Sequence, residues 1–366
     1  MLLQHTSCPS RRRSFVVAGG LWLLFSLVGC VHLQTGTQED FPALGARNAH
    51  GLVSAHWVKS LLDYHQSNFQ SRRPDTYGNK RFVILEASWG KREDANDYHQ
   101  GHLPGAIHCN TDDFENGYPM WRLKALLELH QAIGRYGITP DTTVVVYGKK
   151  LIAAARVWWV LKYAGVTDVR LLDGGMDAWR AAGYPVEKAI QIPQPVAFSG
   201  QASSHWLATT PYVRKHYGNR SDVVLADVRS AAEFSGRVSG YDYLDRKGRI
   251  PGAVHCGDAD DGSYLYKKRD GTLRPPAEIL AMWKERGIVS TKAPTRFDRE
   301  VIFYCGGGWR SSVSFFHAWL MGYENIRNYS DGWSGWSTVY VRDPEAKTGW
   351  RQESTGNPIF IQGKNN

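Results

Sequence analysis

Gly101-His-Leu-Pro-Gly-Ala-Ile-His-Cys109 returns as Gly248-Arg-Ile-Pro-Gly-Ala-Val-His-Cys256, 147 residues later. Other blocks repeat in the same order. At an offset of 141, Glu86 falls on Asp227 and Ser88 on Arg229. Val144-Val-Val-Tyr-Gly148 matches the run ending Ile302-Phe-Tyr-Cys305, and Leu172-Asp-Gly-Gly-Met-Asp-Ala-Trp179 matches Tyr329-Ser-Asp-Gly-Trp-Ser-Gly-Trp336, both at 157. Conserved order with an offset that only grows means two copies of one domain, the second enlarged around 235–247 and 257–275. A length of 366 residues suits two domains of ordinary size. One large fold is thereby excluded.

Each copy alternates short β-branched runs with amphipathic stretches. In the second, 223–227 and 301–304 read as buried strands. Between them 276–286 reads as a helix, opened by Pro275-Pro276 and stopped by Gly287. Thr210-Pro211 starts another helix that Gly218 ends. Strand and helix in alternation imply an α/β fold, a parallel sheet with helices on both faces. The expected layout is a signal segment over 1–29, a tether over 30–50, a first domain over 51–188, a Pro-spaced linker over 189–204, a second domain over 205–341 and a polar, irregular tail over 342–366.

Arg11, Arg12 and Arg13 precede an uncharged run from Phe15 to Gly29. As a helix that run reaches about 22 Å, short of a bilayer core of about 30 Å. The arrangement reads as a secretory signal, with an uncleaved anchor as the alternative. Leu27-Val28-Gly29-Cys30 resembles the bacterial lipobox, which implies cleavage before Cys30 and its lipidation. Arg12-Arg13-Ser14-Phe15-Val16 also resembles a twin-arginine export core, so two export routes stay open. The expected home is the periplasm, on a membrane through the lipid. Val31-His32 lacks the Asp associated with inner-membrane retention, which favours the outer membrane.

Removing three arginines and no acid lowers the formal charge from +9 to +6. Much of the basic character is therefore that of the targeting segment. With no basic-aromatic motif, nucleic acid is not expected as a partner.

The chemistry concentrates after the strand Glu300–Tyr304. Cys305-Gly-Gly-Gly-Trp-Arg310 follows it, and 311–321 reads as a helix. Strand, glycine turn and helix N-terminus gather backbone N–H groups around one point and form an anion cradle. Gly306, Gly307 and Gly308 expose those groups without side-chain obstruction. Cys305 beside the helix start and Arg310 has the setting of a reactive thiolate nucleophile. Trp309 can wall the pocket, and Ser311 or Ser312 can cap the helix. Packing alone accounts for a cysteine at a strand end, but not for three glycines and an arginine after it.

These residues, with Asp227-Val-Arg229, Gly248-Arg-Ile-Pro-Gly-Ala253 and Asp331-Gly-Trp-Ser-Gly-Trp336, resemble the rhodanese family of sulfurtransferases over roughly 52–340. The Ser239-Gly-Tyr-Asp-Tyr243 insert is similar to that of exported bacterial members. The resemblance implies two tandem rhodanese-like domains, each a small five-stranded parallel sheet flanked by helices. It also implies sulfane-sulfur transfer through a Cys305 persulfide, from thiosulfate or a related donor to a thiol, cyanide or protein-cysteine acceptor, with no metal or organic cofactor. Four residues separate Cys305 from Arg310, as in the sulfurtransferase loop, whereas cysteine phosphatases use five. A non-turnover sulfur carrier is the main alternative, and a phosphatase a weaker one. Arg229 is open to two roles, substrate contact or an ion pair with Asp227 or Glu233. Glu233 stands where related thiosulfate and mercaptopyruvate enzymes tend to carry a substrate-binding arginine, which argues against mercaptopyruvate.

In the first copy, Gly148 takes the place of Cys305, Ala153 that of Arg310 and Ser88 that of Arg229. It should lack catalysis and serve as a cleft wall or a partner surface. Cys109 and Cys256 occupy equivalent places, so duplication explains both. His108-Cys109 and His255-Cys256 make no metal site, because strand neighbours point to opposite faces. A resolving role for Cys256 toward Cys305 stays a hypothesis.

Overall fold

The computed structural model describes residues 48–218, 221–257, 263–289 and 299–363. The signal segment, Cys30 and most of the tether lie outside them. The first copy runs β1 (Leu52–Val53), α1 (Ala55–Gln66), β2 (Phe82–Ser88), α2 (Asn96–Gln100), β3 (Ile107–Asn110), α3 (Leu126–Arg135), β4 (Thr143–Tyr147), α4 (Leu151–Ala164), β5 (Asp168–Leu172) and α5 (Gly175–Ala181). The second runs β6 (Leu207–Ala208), α6 (Thr210–His216), β7 (Val223–Asp227), α7 (Ala231–Ser235), β8 (Val254–His255), α8 (Pro276–Glu285), β9 (Glu300–Tyr304), α9 (Trp309–Leu320), β10 (Ile326–Tyr329) and α10 (Gly332–Ser337). Both sheets have five strands, in the equivalent orders β1-β5-β4-β2-β3 and β6-β10-β9-β7-β8. All pairings within them are parallel. Shared strand order shows the duplication independently of the repeated motifs.

The central strands β4 and β9 are buried at every residue. Their continuous β-branched and aromatic runs suit sheets covered on both faces. Helix α4 is apolar nearly all round, the pattern of a helix enclosed by protein. Its far side packs on α9 of the other copy, where Trp158 meets Phe316 at 4.7 Å and Trp319 at 4.8 Å between ring centroids. Residues of both copies thus join one continuous core, which fixes the groove between them.

The linker and the tail are both held to the domains. The linker is strapped to the first copy: Val196 N–H donates to Gly134 O at 2.9 Å and Ser203 N–H to Tyr163 O at 2.8 Å. Nor is the tail irregular. β11 (Thr338–Arg342) pairs antiparallel with β12 (Trp350–Ser354), and Phe360 bridges to Arg249. Aromatic anchors hold it, for the Trp336 indole donates to Pro358 O at 2.9 Å. Hydrophobic periodicity does not report such anchoring.

Candidate active site

Strand β9 delivers Cys305 to the carboxyl edge of the second sheet, and α9 begins four residues later. The turn between them needs glycine. Gly308 has φ +86°, and a Cβ there would press on Arg156 and the Ser330 backbone. At Gly306 a Cβ would collide with the Tyr241 phenol. Trp333 N–H donates to Cys305 O at 2.7 Å and Ser334 N–H to Gly306 O at 3.0 Å, pinning the loop from behind. Among the described residues, the N–H groups of Gly306, Gly307 and Gly308 have no protein acceptor, as an anion cradle requires.

Neither serine caps α9; Gly308 occupies that position. The Ser312 hydroxyl donates to Gly308 O at 2.7 Å. Ser311 donates to Asn328 Oδ1 at 2.7 Å, and its oxygen lies 3.8 Å from Cys305 Sγ. The left-handed glycine leaves the serines inside the first helical turn, facing the core.

Cys305 and Arg310 open onto a cleft of about 660 Å³ formed by both copies. The first copy contributes Trp89, Glu115, Tyr118, Trp121 and Ile152; the second adds Glu233, Tyr241, Tyr243, Gly307 and Trp309. Trp89 stacks on Trp309 with centroids 5.2 Å apart and joins the two walls.

Arg310 is not a free anion-binding group. Its Nη1 donates to Glu233 Oε2 at 2.9 Å and its Nη2 to Glu233 Oε1 at 2.8 Å, a bidentate pair. Nη2 also donates to the Tyr241 hydroxyl. Burial works against both charges, but each partner outweighs it. The Glu233 carboxyl is held below its ordinary range and the Arg310 guanidinium stays firmly protonated. Glu233 itself is fixed by the Ser230 capping box at the start of α7.

Arg229 does not reach the cleft. It is fully buried, with Nη2 donating to Asp227 Oδ2 at 2.6 Å and to Gly248 O at 2.9 Å, and the Trp333 ring 4.9 Å from its guanidinium carbon. Tyr304 donates to the same Asp227 oxygen at 2.7 Å. The Asp-x-Arg motif is a buried strut behind the loop, so substrate contact is replaced by the ion-pair role. Burial alone raises the Asp227 pKa, but Arg229 overrides it and holds the carboxyl below the usual range.

At the corresponding places of the first copy, Ser88 shares a hydrogen bond with His108 Nε2 at 2.7 Å and Tyr147 donates to Glu86 at 2.6 Å. Its own cleft, about 410 Å³, is lined by Gly148 and Lys149 where the second has Cys305 and Gly306. Cys109 and Cys256 are buried and line neither cleft. Burial pushes the Cys256 thiol up to about 11. Among the described residues no cluster of potential metal ligands occurs.

The rhodanese-like domain profile matches twice, over 77–182 and 209–338. The chain belongs to the rhodanese family. Among the relatives it resembles, a thiosulfate sulfurtransferase of Escherichia coli, YnjE, is 36% identical over 270 residues, spanning 70% of this chain but 57% of the relative. A sulfur carrier protein of Thermus thermophilus, TtuD, is 30% identical over 316 residues, spanning 83% and 99%. An anaerobic ergothioneine biosynthesis enzyme from Chlorobium limicola, solved with trimethyl histidine, superposes with a TM-score of 0.72 at 30% identity. That alignment covers 87% of this chain and 71% of the other.

Motif reading found the Cys305 loop of this rhodanese but missed Glu115, Tyr118 and Trp121. They sit on a loop closed by the Glu115–Leu123 bridge. The available signal was two aromatics beside Gly117 and Pro119, directly after the repeated Gly-His-Leu-Pro block. Tyr241 lay inside the recognised insert, but its place over Gly306 is a tertiary fact.

Proposed function

We propose that this rhodanese transfers a sulfane sulfur from thiosulfate or a related small donor, through a persulfide on Cys305, to a thiophilic acceptor. The carrying observation is Cys305 at a cleft between the copies, followed by three glycine amides without protein acceptors. The Cys305 thiolate attacks the outer sulfur of thiosulfate, the donor's S–S bond breaks, and its electron pair leaves with sulfite. The loop amides stabilise the departing anion. An acceptor then removes the outer sulfur and regenerates the thiolate. The four-residue spacing to Arg310 favours sulfur transfer over a phosphatase. Parallel initial-rate lines for thiosulfate and cyanide, with thiocyanate as product, test the double displacement. Sulfur bound without thiocyanate release would instead favour a carrier.

A second reading draws on the aromatic walls. Trp89, Trp121 and Trp309 suit an acceptor that carries a quaternary ammonium group held by cation–π attraction, and the trimethyl histidine of the Chlorobium structure is such a molecule. Incubating sulfur-loaded protein with trimethyl histidine and looking for its sulfur adduct tests this alternative.

For location, we propose an exported lipoprotein of the outer membrane, anchored through Cys30. Arg11–Arg13, the apolar run and Leu27-Val28-Gly29-Cys30 support it. Metabolic labelling with a palmitate analogue, lost in Cys30→Ser, is the test.

A further inference from the structure

The first copy places a second ion pair at the cleft, built differently from the first. Arg156 of α4 reaches Glu115 end-on, with Nε at 3.1 Å and Nη2 at 2.9 Å from the same Oε1. Nη2 also donates to Ser330 of the second copy at 2.9 Å. Glu115 Oε2 and Arg156 Nη1 are left buried without a hydrogen-bond partner. Arg310 and Glu233, by contrast, close as a fork and leave neither carboxylate oxygen open. A buried acceptor left open carries a desolvation penalty that a ligand can relieve. Glu115 is 2% exposed and lines the cleft with Cys305.

We infer that Glu115, supplied by the copy that lacks a nucleophile, is the proton acceptor for a thiol attacking the Cys305 persulfide. The inference rests on the sulfur-transfer reading above. In the step, the acceptor R–SH gives its proton to Glu115 Oε2 and its sulfur bonds the outer sulfur of Cys305 Sγ–SH. The Cys305 Sγ–S bond breaks with its electron pair left on Sγ, and R–S–SH departs. Sulfane sulfur passes from one thiol to another with no net oxidant or reductant, and Glu115 returns its proton to water.

The surroundings favour this role. Burial raises the Glu115 carboxyl to about 7, with Arg156 and the Trp309 indole opposing and Asp112 reinforcing the rise. The indole lies beside the carboxyl without a bond of normal geometry. Across the cleft stand Cys305, Tyr241, Tyr243, Asp242 and the closed Arg310–Glu233 pair. A base with a pKa near neutrality accepts a thiol proton far more readily than an ordinary carboxylate.

The test loads Cys305 from thiosulfate and follows discharge separately to 2-mercaptoethanol and, in mildly alkaline buffer, to sulfite, which is then almost wholly the dianion with no proton to remove. In Glu115→Gln discharge to the thiol should fall about 100-fold, while loading from thiosulfate and discharge to sulfite should not fall. Wild-type thiol discharge should rise with pH through about 7. In the variant that limb should move to the alkaline range where the thiol ionises unaided, and Glu115→Asp should restore part of it. Equal losses toward both acceptors, or an unchanged pH limb, would overturn the inference while leaving sulfur transfer intact. Failure of wild-type Cys305 to take up sulfur would overturn both.

Discussion

Glu233→Gln should make this rhodanese a better enzyme for anionic donors. In the wild type the Arg310 charge is met by a carboxylate 2.8 Å away inside the cleft, so a donor arriving at the Cys305 loop meets a nearly neutral pair. Gln keeps the side-chain length and an acceptor oxygen for Arg310 but removes the negative charge. A donor charge roughly 6 Å from the freed guanidinium gains about 3 kcal/mol at an effective dielectric of about 20. Solvent in an open cleft takes about half of that, leaving about 1.5 kcal/mol, or roughly tenfold in kcat/KM. The assay is sulfur loading of Cys305 at increasing thiosulfate, at two salt concentrations. The gain should appear in KM and shrink with salt, because screening weakens the freed charge. An unchanged or higher KM at low salt in the folded variant would refute the idea that Glu233 cancels Arg310.

Gly306→Ala should lose most sulfur loading, since the new methyl meets the Tyr241 phenol; adding Tyr241→Ala should restore part of it if that clash is the cause. Arg229→Met should act on stability rather than KM, costing about 3–5 kcal/mol at neutral pH because Asp227 is left buried and unpaired. The folded Asp227 pKa is depressed, so the pair's contribution is present above the unfolded value of about 3.9 and lost as pH falls through the folded one. Denaturant midpoints of wild type and variant should therefore converge in acid. Trp158→Ala should cost about 3–5 kcal/mol and loosen the groove between the copies, read as a lower melting temperature together with slower loading.

The repeated blocks carried much of the architecture in plain view. The strand-end tyrosine recurs, as Tyr147 and Tyr304, because each domain copy must end its central strand at the same edge. The loss of Cys, Arg and Arg from the first copy was legible for the same reason. What could not be read was which side chains distant in sequence meet. Glu233 looked like a vacancy where relatives carry an arginine, yet it closes on Arg310, 77 residues away. Arg229 looked equally suited to substrate or strut, and only its full burial with Asp227 decides. Glu115 lies between β3 and α3, where the second copy carries its enlarged loop, so its place on the cleft shared with Cys305 depends on how α4 and α9 pack.

The most direct test is the mass of Cys305 after exposure to thiosulfate. Purified protein, freed of excess donor, should carry one extra sulfur on the peptide containing Cys305, none on those containing Cys109 or Cys256, and none in Cys305→Ala. An unmodified Cys305 in folded protein, or sulfur found on Cys109 or Cys256 instead, would contradict a persulfide at this site.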